Sequence, residues 1–314
     1  MSMGGRLTGQ MWELERGCED YPRAVEDLSS PPAVLYGMGN KDALSSPCLS
    51  VIGARRATPY GLAVAEMAGR VAAECGITVV SGGAMGCDCA AAKAALDAGG
   101  RTVVVSGCGA DVVYPASSRE VFERAAAGEG CVLSMERWGQ GATKFSFPKR
   151  NVVIAALSKC LLVAEAGQRS GTMSTANAAL ELDRTLYAVP GSIFSPGSQG
   201  TNHLIAEGAH VIADERDLEM SISLDYGCLR FQESKGEGQQ EIGRVMSALV
   251  STPLRPDELS ARLGEDVITT LRTLAEYEGM GLVVRLPDGR YSPSERFFLG
   301  ENRERKPTLE GSGK

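Results

Sequence analysis

From residue 48 onward the chain alternates two kinds of hydrophobic spacing. Short unbroken apolar runs occur at 48–52, 76–80, 102–106, 131–133, 160–163, 185–189 and 210–212. Runs of that length, cut off by glycine, proline or polar residues, suit strands covered on both faces. Between them, 60–75, 88–98, 118–127, 151–157, 172–182 and 200–207 carry Ala, Leu, Met and Val at helical spacing. Gly99-Gly100 reads as the C-cap of the second of these helices. Alternation of strand and helix on this scale requires right-handed crossovers and a mainly parallel sheet. The pattern therefore predicts an α/β fold with an extended Rossmann-like core over 48–222.

The flanks read differently. Pro22, Pro31, Pro32 and Pro47 interrupt any long helix over 1–47, which reads as an N-terminal arm with a short strand near 33–36. It is either packed on the core or an oligomer contact. Residues 223–240 lose apolar periodicity and read as a linker. Over 241–293, Ile242, Val245, Met246 and Leu249 share one helical face, a second helix opens at Pro256, and a third spans 267–277. Residues 282–286 and 290–291 flank Pro287-Asp288-Gly289, a hairpin signal that completes a winged helix-turn-helix. The polar tail 294–314 is expected to be disordered.

Composition narrows the function classes. Hydrophobic content of 43% and charged content of 23% are ordinary for a soluble globular protein. A net charge of −7 gives no bulk attraction for nucleic acid, so any such binding needs a local basic patch. The winged unit does not supply one. It holds six Lys/Arg against eight Asp/Glu, and its third helix sets Arg272 against Asp266, Glu276 and Glu278. Duplex readers take most of their affinity from phosphate contacts, so a protein-contact or regulatory role fits this unit better. Nine scattered cysteines indicate reduced thiols. Cys87-x-Cys89 lacks a second pair at ligand spacing, and His203 and His210 are the only histidines, so neither metal nor cofactor is expected. No signal sequence or bilayer-length apolar run is present, which points to the cytoplasm.

The basic patch lies elsewhere. Arg55, Arg56, Lys144, Lys149 and Arg150 gather in two loops at the carboxyl edge of the sheet, where open α/β folds bind ligands. A guanidinium beside free helix N-terminal N–H groups is a phosphate-binding arrangement. Phe145 and Phe147 flank the second loop; an exposed ring there would stack on bases, whereas a buried one is ordinary core. Ser81-Gly82-Gly83-Ala84-Met85-Gly86 lacks Walker spacing. Its glycines either admit a phosphate or base closely or simply make a tight turn. Asp88 has an N-terminal helix charge as its rival reading. The hydroxyls of Ser170-Gly171-Thr172 and the residues after them include one plain cap, and as a group suit a phosphate or ribose. Neither histidine offers itself as a base for a serine nucleophile, so the chain is not read as an enzyme.

Taken together these residues resemble the DNA processing protein A family, also called DprA or Smf. The carriers are Val51-Ile52-Gly53-Ala54-Arg55 with Tyr60-Gly61, Ser81-Gly82-x-Ala84-x-Gly86-x-Asp88, and Gly109 with Tyr114-Pro115. They continue through Lys144-Phe145-x-Phe147-Pro148-x-Arg150-Asn151, Glu165-Ala166, Ser170-Gly171-Thr172-x-x-Thr175-Ala176, Pro190-Gly191 and Gly200-x-Asn202. The resemblance implies a homodimeric single-stranded-DNA-binding protein that helps load the recombinase RecA in natural transformation. It implies phosphate contacts from Arg55 and Lys144, with Arg150 and Asn151 lining the same pocket. The turn over Gly82, Gly83 and Gly86, and Ser170, Gly171 and Thr172, would receive phosphates or a base. Gly53, Arg56, Ser81, Asp88, Phe145 and Phe147 complete the expected nucleic-acid-binding set. Three departures stand out: Ala92 where the family usually has His, Val152 where it has a second Arg beside the pocket, and Ser134-Met135-Glu136-Arg137 for its Ser-Glu-Tyr-Pro element. The alternative is a nucleotide-binding enzyme or sensor of the lysine-decarboxylase-like superfamily. Gln168-Arg169-Ser170-Gly171-Thr172 keeps that family's Gly-Thr but lacks its Pro-Gly-Gly lead-in and catalytic Glu.

Overall fold

The computed structural model describes residues 7–143, 145–228, 230, 245–246, 248–249, 253–294 and 297. The chain divides into two units, 1–231 and 232–314.

The first unit is built on a nine-stranded sheet. In chain order its strands are β1 (Met11–Glu15), β2 (Val34–Gly39), β3 (Cys48–Ile52), β4 (Thr78–Ser81), β5 (Thr102–Ser106), β6 (Gly130–Ser134), β7 (Cys160–Val163), β8 (Thr185–Ala188) and β9 (His210–Val211). Their spatial order is β1-β2-β6-β5-β4-β3-β7-β8-β9. The seven strands from β3 onward are the seven apolar runs, and all seven pair in parallel. The chain works outward from β3 to β6 on one side, then returns to β7 and works outward on the other. The topological switch point, where such sheets open a crevice for ligands, therefore lies between β3 and β7.

The sheet is covered on both faces. Ile52, Val80, Val103 and Leu161 pack into one buried cluster with Ile154 and Ala155, while Leu49, Val51, Val79 and Leu162 pack into another with Ala65, Ala68 and Ala91. In chain order the first four helices are α1 (Arg23–Glu26), α2 (Pro59–Glu74), α3 (Cys87–Asp97) and α4 (Arg119–Arg124). Helices α2 and α3 meet through small residues, and Gly69 lies against the backbone of Ala91 with no room for a Cβ.

Three features differ from the sequence expectation. The segment before residue 48 does more than pack on the core: where one short strand was expected, β1 and β2 pair with each other and, through β2 and β6, extend the sheet antiparallel. Leu14, Leu35 and Met38 are buried, and the Trp12 indole N–H donates to the Gly39 carbonyl at 2.9 Å. The helix after the basic loop begins at Ser146, not at Asn151. Thr143 and Ser146 cap one another there, the Ser146 amide donating to Thr143 Oγ1 at 3.1 Å and the Thr143 amide to Ser146 Oγ at 3.2 Å. Pro148 then falls in the first turn, where a missing N–H costs nothing. The third difference is at 223–240. A helix over Glu215–Tyr226 buries Leu218 and Ile222 four residues apart, and Tyr226 Oη donates to the Cys48 carbonyl at 2.6 Å. Arg230 beyond it pairs with Glu74, Glu215 and Glu219, so the first unit runs past the expected linker start. Residues 231–240 lie outside the described residues.

The second unit contains helices over Pro256–Leu263 and Val267–Gly279 and an antiparallel hairpin, β10 (Val283–Arg285) and β11 (Tyr291–Pro293). Asp266 caps the second of these helices, accepting from the Ile268 and Thr269 amides at 2.9 and 3.0 Å. Leu259, Leu274, Tyr277, Val283 and Tyr291 form its core with Val245, Met246 and Leu249 from the first predicted helix. The third helix turns Val267, Ile268 and Leu271 outward, with Arg272 the single cation of Val267–Gly279, fewer than a groove reader needs. Apart from Ser294 and Phe297, the tail expected to be disordered lies outside the described residues. Among the described residues no helix is long and apolar enough to cross a membrane.

Candidate nucleic-acid interface

At the carboxyl edge of β3, β4 and β5, the loops after each strand and the start of α5 (Ser146–Leu157) enclose a small pocket. It is lined by Arg55, Gly82, Ala84, Met85, Tyr114, Pro115, Phe147 and Arg150. The Phe147 ring is its centre. The Arg55 guanidinium stands 5.5 Å from the ring centroid, the Arg150 guanidinium 5.9 Å, and the Tyr114 ring 5.8 Å. Cation over ring at these separations is attractive, and it fixes where the charge sits. Arg55 is exposed and offers its donors to solvent, whereas Arg150 is only 4% exposed.

Arg150 holds the pocket together from beneath. Its Nη1 donates to the carbonyl of Gly82 and, at 2.7 Å, to that of Val105, tying the ends of β4 and β5 to α5. Burial lowers its pKa, with the charge of Arg55 adding to that effect and the charge of Asp88 opposing it. Asp88 ties the remaining loop: its carboxylate accepts from the amides of Gly53 at 3.3 Å and Gly82 at 3.1 Å. Burial raises the Asp88 pKa, against the pull of Arg150 and of the Gly53, Gly82 and Ala84 amides. The helix-terminus reading of Asp88 thus gives way to a cross-loop staple between the ends of β3 and β4. Gly83 and Gly86 have φ of 61° and 85°, so the turn between them needs glycine for its backbone.

The sixteen expected residues sort by position. Arg55, Gly82, Phe147 and Arg150 line the pocket. Gly53, Ser81, Gly83 and Asp88 are buried beneath or beside it; Ser81 Oγ donates to the Val51 carbonyl at 2.7 Å and serves the sheet. Gly86 is half-buried at the start of α3, and Arg56 is exposed outside the pocket lining. Phe145 is 67% exposed and Phe147 half-buried, so neither is fully core. Ser170, Gly171 and Thr172 lie at the start of α6 (Gly171–Glu181), beside the switch point. There Thr172 Oγ1 donates to the Gly53 carbonyl at 3.0 Å, while Ser170 Oγ is buried without a partner among the described residues. Asn151 Nδ2 donates to Ser174 Oγ at 3.3 Å, joining α5 to α6. Lys144 lies outside the described residues.

Two positioning groups were absent from the expected set. Tyr114 and Pro115 line the pocket, and their visible signal was an aromatic-proline pair in the loop after β5. Glu165, at the end of β7, is buried and accepts from both the amide and the hydroxyl of Thr58 at 2.8 Å, anchoring the start of α2. Nothing local in the sequence marks that role, because its partner is 107 residues away.

A sequence model of the DNA recombination-mediator protein A family matches residues 14–223, two thirds of the chain. The chain belongs to that family. A DprA winged helix domain matches residues 232–289, the second unit. Synechocystis protein Smf is 37% identical over 242 residues, covering 74% of this chain and 60% of that protein. DNA processing protein DprA of Streptococcus pneumoniae is 37% identical over 198 residues, covering 63% of this chain and 70% of its own. Escherichia coli Smf is 30% identical over 282 residues, covering 86% and 74%. The chain thus spans 60% of the first of these relatives. Among solved structures, S. pneumoniae DprA superposes with a TM-score of 0.63 at 35% identity, covering 67% of this chain and 73% of that one. DNA processing protein A from Helicobacter pylori, whose structure concerns its single-stranded DNA binding mode, gives 0.63 at 32%, covering 69% and 97%. The family is named for DNA processing and recombination mediation, not for a catalysed reaction.

Val152, in the place of the family's second Arg, does not itself line this pocket. Two residues on from Arg150 it lies on another side of α5 and packs against the core. Ala92 is fully buried in a cluster with Leu96, Val104 and Phe122.

Proposed function

We propose that this protein binds single-stranded DNA at the carboxyl edge of its Rossmann-like core. The proposal extends to a homodimer that helps load RecA during recombination and natural transformation in the cytoplasm. The observation that carries the reading is the exposed Arg55 guanidinium over the Phe147 ring, in a pocket beside the switch point. Cation plus aromatic ring is the sequence-tolerant recipe for a single strand: the base stacks and the phosphate pairs. The buried Arg150 and Asp88 keep the loops in place, so the exposed groups are presented without rearrangement. The H. pylori relative, a single-stranded DNA binder, supports the same ligand class here.

Fluorescence anisotropy of a labelled oligo-dT and its duplex counterpart, at two salt concentrations, tests it. Wild type should prefer the single strand, with affinity falling as salt rises. Arg55→Ala with Lys144→Ala should abolish retention while the thermal melt stays unchanged. Equal binding by that double variant would remove the site assignment. Stimulation of RecA filament growth on coated single strands then tests the partner.

A further inference from the structure

A second and larger depression, about 630 Å3, lies on another side of α5. Its walls are the 28–34 segment before β2, residues 135–137 after β6, and the α5 face carrying Lys149, Val152 and Val153. Tyr36, Met135 and Val152 give it a half-buried apolar floor. The Tyr36 ring is held edge-on by Trp138, with centroids 5.6 Å apart and planes at 80°. Arg137 and Lys149 stand exposed at the edge, and neither forms an ion pair among the described residues. Glu136 is the acid of the lining, and its carboxylate accepts from Gln140 Nε2 at 2.5 Å. The depression is therefore locally basic on a chain whose net charge is −7.

The two depressions are neighbours across one helix. At about 100° per residue, Phe147 and Arg150 fall on one side of α5, and Lys149, Val152 and Val153 on the other. We infer that the larger depression is a second subsite for the same single strand. The strand enters over Arg55 and Phe147, rounds the first turn of α5, and sets bases on the apolar floor with phosphates toward Lys149 and Arg137. The inference rests on the single-strand reading of the first pocket. Half the perimeter of a helix about 10–12 Å across is roughly 16–19 Å. At a stacked rise of about 3.4 Å per nucleotide the crossing takes about five nucleotides. A strand of about four, at the same rise, spans only about 14 Å and reaches one subsite.

The test compares oligo-dT of about four and about sixteen nucleotides, the ends of the usual range of site sizes. Both are titrated by anisotropy across a salt series against wild type and the Arg137→Ala/Lys149→Ala variant. Both side chains are exposed, so the variant should keep the wild-type melt. The expected result is a loss of about tenfold or more in affinity for the long strand. Its log–log salt slope should shrink by about 1.4, two contacts at about 0.7 each. Affinity for the short strand should not move. An unchanged affinity and slope for the long strand would overturn the second subsite and leave the first standing, as it would if the depression instead held a peptide. An equal loss for both strands would also overturn it, since the two cations would then act at the first pocket. Failure of wild type to bind either strand would overturn both readings together.

Discussion

The Arg150 side chain leaves no room for a Cβ at Gly82, which would lie 2.6 Å from Arg150 Cζ and 2.6 Å from Asp88 Oδ2. Gly82 directly follows β4, Arg150 lies in the second turn of α5 and Asp88 in the first turn of α3, and the pocket takes its shape from their contact. Gly82→Ala needs no change of backbone region, so its cost is steric overpacking of about 1–3 kcal/mol. For a unit of this size each kcal/mol lowers the melting temperature by about 2–4 °C. Differential scanning calorimetry should show that shift, and oligo-dT affinity should fall with it. A variant with the wild-type melt would mean that the loops yield where they are drawn tight.

Arg55 and Arg150 should separate cleanly, although both are arginines at the same pocket. Arg55→Ala removes an exposed cation and should leave stability within about 0.5 kcal/mol. Its signature is a weaker complex and a salt slope smaller by about 0.7. Arg150→Ala strips the donor from the Gly82 and Val105 carbonyls, and each buried group left unpaired costs about 1–3 kcal/mol. Chemical denaturation and anisotropy on the two variants check this. Equal stability in both would mean that Arg150 is not the tie the geometry makes it.

The contrast marks where the sequence could be read and where it could not. The seven parallel strands were visible because each is an apolar run covered on both faces. The wing was visible because Asp288-Gly289 interrupts two short extended runs. β1 was not, since only Leu14 of its five residues is buried and an edge strand needs no more. The helix over Glu215–Tyr226 was missed for the same reason, its buried positions being only Leu218, Ser221 and Ile222. Arg55 and Phe147 were legible as chemistry in a loop. That Arg150 and Asp88 are buried supports was not, because they lie 62 residues apart and their backbone partners come from other strands.

The cysteines offer a check on burial. Desolvation pushes the thiols of Cys48, Cys75 and Cys87 up to about 12, so at neutral pH they carry almost no thiolate. Cys18 is exposed. With an aromatic disulfide reagent at about pH 8, Cys18 should react in a fast phase that Cys18→Ser removes. Cys48, Cys75 and Cys87 should react only after denaturant is added. Rapid native labelling, read by peptide mass mapping, would contradict the packing of one sheet face against α5 if it fell on Cys48, and of the other against α2 and α3 if it fell on Cys75 or Cys87.

The end of the first unit should carry an acid-sensitive clasp. Arg230 is bonded to Glu74 at 2.6 Å, Glu215 at 2.7 Å and Glu219 at 3.1 Å, and Arg70 reaches Glu215 at 2.6 Å. Burial alone would raise the Glu215 pKa, but the hydrogen bonds and charges of Arg70 and Arg230 outweigh it and hold the group below its ordinary 4.5. A depressed folded pKa means that the unfolded chain takes up the proton first as pH falls. The contribution is therefore present above about 4.5 and is lost as pH drops through the lower folded value. Glu215 is partly exposed, so solvent screening limits the effect to about 1 kcal/mol or less. Urea melts of wild type and Glu215→Gln should differ at about pH 7 and converge as the pH is lowered well below 4.5. A gap that stays constant over that range would mean that the arginines do not hold Glu215 in its charged form.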